Sequence, residues 1–518
     1  MIDESWRVGA GSTRLPGVAH DIDGAFLDLP LAALADAALS RAAELGAEHA
    51  DIRVERLASA RLTMRDAAVE SSERTDHSGF GVRVIVDGAW GFAAATELMP
   101  DAVAAAAARA VDVARVTARA CTERIELAPE PAYGEVRWVS AYDVDPLDVP
   151  EAEQVELLGG WSRRLLSADE VAHVDVELSA VRENKFYADL AGTSAIQQRV
   201  RVHPSVTAVW VDDSGGFESM ATLAPPAGRG FEYLTGTGWD WDGELAELPS
   251  HLGEKAAAPT VEAGSYDLVI DPTNLWLTIH ESVAHATELD RALGYEANYA
   301  GTSWATFDGL GTTRFGSPAM NVTGDRVTPH GLSTVGYDDE GVAAQQWDVV
   351  RDGILVGYQL DRRTAALKGF DRSNGCAFAD GPGRMPIQRM PNVSLQPDLS
   401  GPDTAGLIAG VERGIYAVGD KSWSIDMQRF NFQFTAQRFY LIRGGQLAGQ
   451  LRDVAYQGSG PTFWGSLEAV GGPSTYLLAG AFNCGKGQPS QVAPVSHGCP
   501  SALFRGVRIL NTRQESGR

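Results

Sequence analysis

The chain has 518 residues, of which 44% are hydrophobic and 21% charged, a globular composition in a chain too long for one ordinary domain. A formal net charge of −25 argues against nucleic acid as a partner, because phosphate binding needs a basic surface; solubility accounts for the excess of acid. Four cysteines, Cys121, Cys376, Cys484 and Cys499, are too few and too scattered for a disulfide framework and fit a reducing compartment.

Residues 1–17, MIDESWRVGAGSTRLPG, are acidic and polar and lack the basic-then-apolar pattern of a secretory signal. No apolar run is long enough to span a bilayer. The Ala-rich stretch from Asp101 to Ala120 comes closest, but Asp and Arg interrupt it, and it reads as a soluble helix. The expectation is a cytoplasmic protein without a membrane segment. Leu31–Leu45 predicts an amphipathic helix. Three segments with period two follow, Ala50–Ser59, Arg61–Glu70 and Gly79–Thr96, and predict antiparallel strands. Strands resume over His173–Asp213, with Asp189–Ser194 (DLAGTS) as a turn. The stretch His251–Tyr266 turns small, polar and Pro-bearing, and a domain boundary is placed there. Beyond it, Tyr266–Pro272 (YDLVIDP) predicts a strand running into a helix, and after Ala300 nearly everything reads as strand and turn. The expected class is α+β: an N-terminal α+β domain over 1–255, and a mainly antiparallel β domain over 256–518 carrying one important helix.

That helix contains LTIHESVAHATELD, Leu277–Asp290. Asp271 before Pro272 is placed to cap it, and Trp276, Ile279 and Val283 recur at core-facing spacing. The familiar metallopeptidase pattern is H-E-x-x-H, but here His280, Glu281 and His285 form H-E-x-x-x-H. On an ideal helix, Glu281, His285 and Glu288 fall within about 60° of one another, whereas His280 lies about 140° from His285. The two imidazoles can converge on one ion only if the helix widens locally. A single i→i+5 turn would do this, and such turns concentrate at functional sites.

A catalytic zinc takes three protein ligands and leaves a position for water, so two histidines need a third partner. By residue type the candidates are Glu288, Cys376, Cys484, Cys499 and His497. Cys484 sits where an apolar run gives way to a Gly turn; His497 and Cys499 lie together in SHGCP. Position alone does not choose among them.

Several motifs in order along the chain resemble the TldD/PmbA family, and within it the TldD-type metallopeptidases. They are Ala50–Glu70 followed by Gly79–Ala95, the histidine helix, AGTS at Ala300, Tyr337–Ala365, Arg389–Asp398, Glu412–Asp420, and CGKGQP at Cys484. The resemblance covers nearly the whole chain. It implies Zn2+ held by His280, His285 and Cys484, with Glu281 as the general base. It also implies an N-terminal α+β domain before a C-terminal domain of antiparallel sheets, and a TldE/PmbA-like homologous partner subunit that lacks the histidine motif and closes a lumen around the site. Self-association is the alternative when the chain is alone. Substrates would be unfolded or extended peptides bound as an added β-strand with little sequence preference.

Two departures bear on substrate choice more than on chemistry. The family often has Glu-Gly-Asp where this chain has Glu288-Leu289-Asp290, and a Gly-rich stretch after GIY is replaced by Gly419–Phe434, GDKSWSIDMQRFNFQF. The rival reading is a non-catalytic peptide-binding or assembly subunit, against which the intact histidine motif argues. Neither G-x-S-x-G nor the P-loop pattern occurs, which argues against a serine hydrolase or a nucleotide enzyme.

Overall fold

The computed structural model describes residues 20–515, so the reading of residues 1–17 lies outside the described residues. The fold is α+β. Two long antiparallel hairpins, His49–Arg65 with Ala68–Val86 and His173–Asp189 with Thr193–Val211, form the centre of a seven-stranded sheet. The two strands expected at Ala50–Ser59 and Arg61–Glu70 are instead one strand, His49–Arg65, and a turn. Ile52, Val54, Ala58, Leu62 and Met64 lie buried on one face along its whole length, and the chain reverses only at Asp66–Ala67. Both of these adopt left-handed backbone (φ 49° and 63°), the conformation that a tight two-residue hairpin turn demands.

Helices Leu31–Glu44 and Pro100–Ala118 pack on one end of this sheet through small side chains, among them Ala38, Ala42, Ala107 and Ala110. The approach is close enough that a Cβ on Gly91 would lie 1.8 Å from the Ala110 carbonyl oxygen. Two further helices, Glu151–Leu166 and Trp241–Ala257, cover the other end of the sheet, with Trp161 and Trp241 stacked at 4.4 Å. Sequence reading did not foresee them, because Gly159–Gly160 and Pro249 mask the periodicity of Leu245, Leu248 and Leu252. The stretch read as a boundary therefore begins inside a helix, and the chain runs extended only from Ala258 to the strand Gly264–Ile270.

In the second half, strands Gly264–Ile270, Ala502–Asn511, Val454–Ser459, Asn431–Arg443 and Arg413–Ile425 close into a ring; the last pairs back onto the first in parallel. The expectation of strand and turn after Ala300 is too simple. Short helices Arg362–Leu367, Thr404–Ala409 and Gly460–Gly465 interrupt it, and long irregular stretches wrap the ring. The histidine helix, Pro272–Ile279, leaves the ring strand Gly264–Ile270 directly. Trp276, Ile279 and Val283 are buried as expected, but so is every other residue of this helix. It is a central element rather than an amphipathic one.

The two halves meet through buried charges. Arg83 pairs with Asp51 and with Glu340, both at 2.8 Å, and Lys185 Nζ donates to Asp339 at 2.8 Å. Ions so deeply desolvated persist only when fully paired, so the N-terminal sheet is keyed to the 338–340 segment in one register. Among the described residues no helix is long and apolar enough to cross a membrane.

Candidate metal centre

The site forms where the buried helix meets the hairpin Leu477–Lys486/Gln491–Cys499. The Asp271 carboxylate caps the helix, accepting from Thr273 N at 3.0 Å, with Pro272 in the first turn. Regular α-helix ends at Ile279. From His280 to Ala284 the backbone is a π turn, in which the His285 N–H donates to the His280 carbonyl, and His285–Thr287 then tightens into a 3-10 turn. The wide turn brings residue i+5 back over residue i. The two imidazoles consequently stand with ring centroids 4.7 Å apart. Side-chain donors serve the carbonyls of this irregular stretch: Thr287 Oγ1 to Val283 O (2.9 Å), Ser303 Oγ to Ala286 O (2.6 Å) and Gln359 Nε2 to Ala284 O.

Cys484 arrives from the facing hairpin. The strand register slips between Ala481 and Cys484, a bulge that re-aims a side chain, and the thiol lies 3.5 Å from His285 Nε2. The ligand atoms of His280, His285 and Cys484 all fall within 4.8 Å of one another, and all three residues are buried.

A layer of partners fixes which nitrogen each histidine offers. His497 Nδ1 donates to the Val393 carbonyl at 2.9 Å, so its Nε2 is an acceptor. That nitrogen lies 2.7 Å from His280 Nδ1, which must therefore carry the proton and leave Nε2 with a free lone pair. His285 Nδ1 donates to Glu288 Oε2 at 2.9 Å, and again Nε2 is free. Such outer partners set the tautomer and orientation of metal-binding imidazoles. Glu288 is itself fully buried, held by Arg291 Nε and Lys486 Nζ, each at 3.2 Å.

The electrostatics follow from burial. Desolvation, with cationic neighbours adding to it, holds His280 and His285 well below the usual histidine range, so both are neutral. Burial alone would raise Glu288, but Lys486, His285 and Arg291 together hold it well below the carboxylate range. Burial pushes the Cys484 thiol up to about 11, so a thiolate there needs a cation beside it. Two neutral imidazole nitrogens and a thiol aimed at one buried point are the donor set of a Cys/His zinc site, and the residues fit that ion.

Of the residues singled out in the sequence, His280, His285 and Cys484 converge, and Glu281 stands beside them with its carboxylate paired to Arg429 Nη1. Glu288 and His497 lie one layer out, bonded to the imidazoles. Cys376 donates to Asn374 Oδ1 (3.2 Å), and Cys499 faces the Pro272 carbonyl (3.5 Å); neither joins the group. Sequence reasoning missed Arg429, Arg291 and Gln359. Of the counter-ions of Glu288, Arg291 lies three residues on in sequence, whereas Lys486 comes from the hairpin 198 residues away.

The profile of the PmbA/TldA metallopeptidase C-terminal domain matches residues 263–511, and that of domain 1 of the same metallopeptidases matches residues 50–114. The chain belongs to the TldD/PmbA family. Within this family, a metalloprotease of Methanothermobacter thermautotrophicus is 28% identical over 473 residues, covering 90% of this chain and 96% of that protein. A zinc metalloprotease TldD homolog of Saccharolobus solfataricus is 23% identical over 481 residues, covering 91% and 98%. Among solved structures, a Thermotoga maritima protein matches with a TM-score of 0.74 at 16% identity over 92% of this chain and 99% of its own. TldE from Thermococcus kodakarensis matches with a TM-score of 0.66 at 17% identity, over 91% and 98%. At these identities the structural likeness establishes the TldD/PmbA fold. The matched C-terminal region contains all of His280, Glu281, His285 and Cys484.

Proposed function

We propose that this chain is the catalytic subunit of a cytoplasmic zinc peptidase that hydrolyses unfolded or extended peptides with low sequence specificity. We further propose that it works with a TldE/PmbA-like subunit lacking the histidine motif. The reading is carried by one observation: His280, His285 and Cys484 converge within 4.8 Å, with the carboxylate of Glu281 next in sequence to the first of them. Zinc is the ion this donor set suits; when bound it supplies a Lewis acid that polarises a carbonyl and lowers the pKa of water to about 7.

The chain's own residues would do the rest. His280 and His285 offer Nε2 because His497 and Glu288 occupy their Nδ1 protons. Cys484 offers a sulfur kept from solvent by burial. Glu281, whose carboxyl is raised by burial against the opposing pull of Arg429, is the group to accept a proton from water and deliver it to the leaving amine nitrogen. The strand Leu477–Lys486 pairs only with Gln491–Cys499 among the described residues. Its other edge has no strand partner, and an extended peptide added there would run past Cys484. Backbone pairing of that kind recognises extended chains and reads side chains weakly.

The test is to incubate the zinc-loaded chain, alone and with its homologue, with one protein in folded and unfolded forms. Cleavage of the unfolded form, strongly dependent on the homologue, is expected. Equal cleavage of both forms by the isolated chain would overturn the extended-substrate and partner readings.

A further inference from the structure

Among the described residues, two cations at the centre leave a buried nitrogen without a partner, Arg291 at Nη2 and Arg429 at Nε, and of these only the Arg429 side chain keeps some exposure. Lys486 donates to Glu288, Asp290 and Gln388. Arg291 is fully buried against Glu288 and the Ala300 carbonyl. Arg429 makes a single side-chain bond, from Nη1 to Glu281. Its Nε is buried with no partner, and its side chain is 15% exposed.

Arg429 is presented by a built turn. It sits at the tip joining strands Arg413–Ile425 and Asn431–Arg443, with the left-handed backbone of a hairpin turn at φ 60°. The Asp426 carboxylate holds the tip by accepting from Phe430 N (2.8 Å), Asn431 N (2.9 Å) and Asn431 Nδ2 (2.8 Å). Backbone bonds from Thr302 N to Met427 O (2.9 Å) and from Trp304 N to Gln428 O (3.0 Å) dock it on the neighbouring loop. A Cβ on Gly301 would lie 2.0 Å from Met427 O, so this docking requires the glycine. Trp423 and Met427, 55% and 52% exposed, give the same hairpin an apolar rim. The turn belongs to Gly419–Phe434, the stretch in which this chain departs from the Gly-rich pattern.

We propose that the Nε/Nη2 edge of Arg429 is the receptor for a carboxylate of the peptide substrate, either the free C-terminus or an Asp or Glu side chain close to the scissile bond. The proposal rests on the peptidase reading above and adds one selective position to an otherwise permissive site. A guanidinium is a planar fork that pairs two parallel N–H bonds with a carboxylate. Here Nη1 is engaged by Glu281, and the Nε/Nη2 edge is left over. A buried donor without an acceptor is costly; an incoming carboxylate supplies the missing acceptor while Nη1 keeps its contact with Glu281. Because the chain as a whole is strongly acidic, its overall field repels anions, and a preference for acid must come from this local contact.

The experiment is equilibrium binding to the zinc-depleted chain, where no turnover intervenes. It uses one unstructured peptide in three forms: with a free C-terminus, as the C-terminal amide, and as the amide with one internal Asn replaced by Asp. Kinetics on the zinc-loaded chain run in parallel. The wild type should bind one or both carboxylate forms at least about tenfold more tightly than the amide, and the form preferred identifies the source of the carboxylate. R429Q should bring the carboxylate forms down to the level of the amide without changing amide affinity or zinc content, and R429K should restore part of the preference. In the kinetics kcat should fall alike for all three forms, because Glu281 loses its partner, while only the acidic form should also lose its KM advantage. Equal wild-type affinity for all three forms would overturn the proposal, as would R429Q weakening all three alike, which is what a purely structural role predicts. Failure of the wild type to bind any form would remove the peptide reading beneath it.

Discussion

Replacing His497 by Phe separates the layer that orients the centre from the ligands themselves. His497 stacks on Trp276 with ring centroids 6.3 Å apart and planes within 5°, a contact that a Phe ring can keep. The substitution removes the acceptor of the His280 Nδ1–H (2.7 Å) and the donor to the Val393 carbonyl (2.9 Å). Each buried group left unpaired costs about 1–3 kcal/mol, so the metal-free protein should lose about 2–6 kcal/mol. His280 also loses the bond that commits its proton to Nδ1, and outer partners of this kind are worth about 10–100-fold in metal affinity. Competition with a chromophoric chelator measures the zinc affinity, and urea denaturation of the metal-free chain measures stability. A collapse of zinc affinity as complete as that caused by removing Cys484 would make His497 a ligand and refute the tautomer argument. Unchanged affinity would show that the Nδ1 proton of His280 needs no fixing.

Two further outcomes follow from the geometry. Glu281→Gln keeps the shape and loses the proton acceptor, so zinc content should stay while peptide turnover falls by about 10²–10⁴; near-normal turnover would exclude Glu281 as the base. The metal-free chain should also lose stability on mild acidification. His497 titrates at about 4 in the fold because burial disfavours its cation, against 6.5 unperturbed. A depressed folded value means that the unfolded chain takes the proton first, so this contribution is complete above about pH 6.5 and disappears as the pH falls towards 4. At 1.36 kcal/mol per unit it amounts to about 3 kcal/mol, and His280 and His285 act in the same sense. Urea midpoints at pH 7.5 and 5 check this; a midpoint that does not fall would contradict it.

The part of the site that sequence could reach is the part written locally. A spacing of five between two histidines is an angular misfit on a regular helix, and the π turn at His280–Ala284 is the geometry that resolves it. The third partner was not local. Cys376, Cys484, Cys499, His497 and Glu288 remained equal by residue type, because the choice depends on how a hairpin some 200 residues downstream packs on the helix and where its register slips. His497 is chemically a ligand, but its Nδ1 bond to Val393 turns Nε2 towards a neighbouring imidazole, and no spacing rule reports that. Arg429 was illegible for the same reason: its place beside Glu281 comes from a left-handed turn docked on a loop about 125 residues earlier. In the fold, strand alternation around Ile52 and Val54 was readable. The helices Glu151–Leu166 and Trp241–Ala257 were not, since Gly and Pro inside them weaken local propensity while Trp161, Trp241 and Leu252 stabilise them through tertiary burial.

The most direct measurement is the zinc content of the purified chain and of two cysteine variants. The account predicts one zinc per wild-type chain, its loss or near-complete loss in Cys484→Ser, because a hydroxyl cannot replace a thiolate ligand, and full retention in Cys499→Ser, whose thiol faces the Pro272 carbonyl instead. Full zinc in Cys484→Ser together with its loss in Cys499→Ser would contradict the account at its centre.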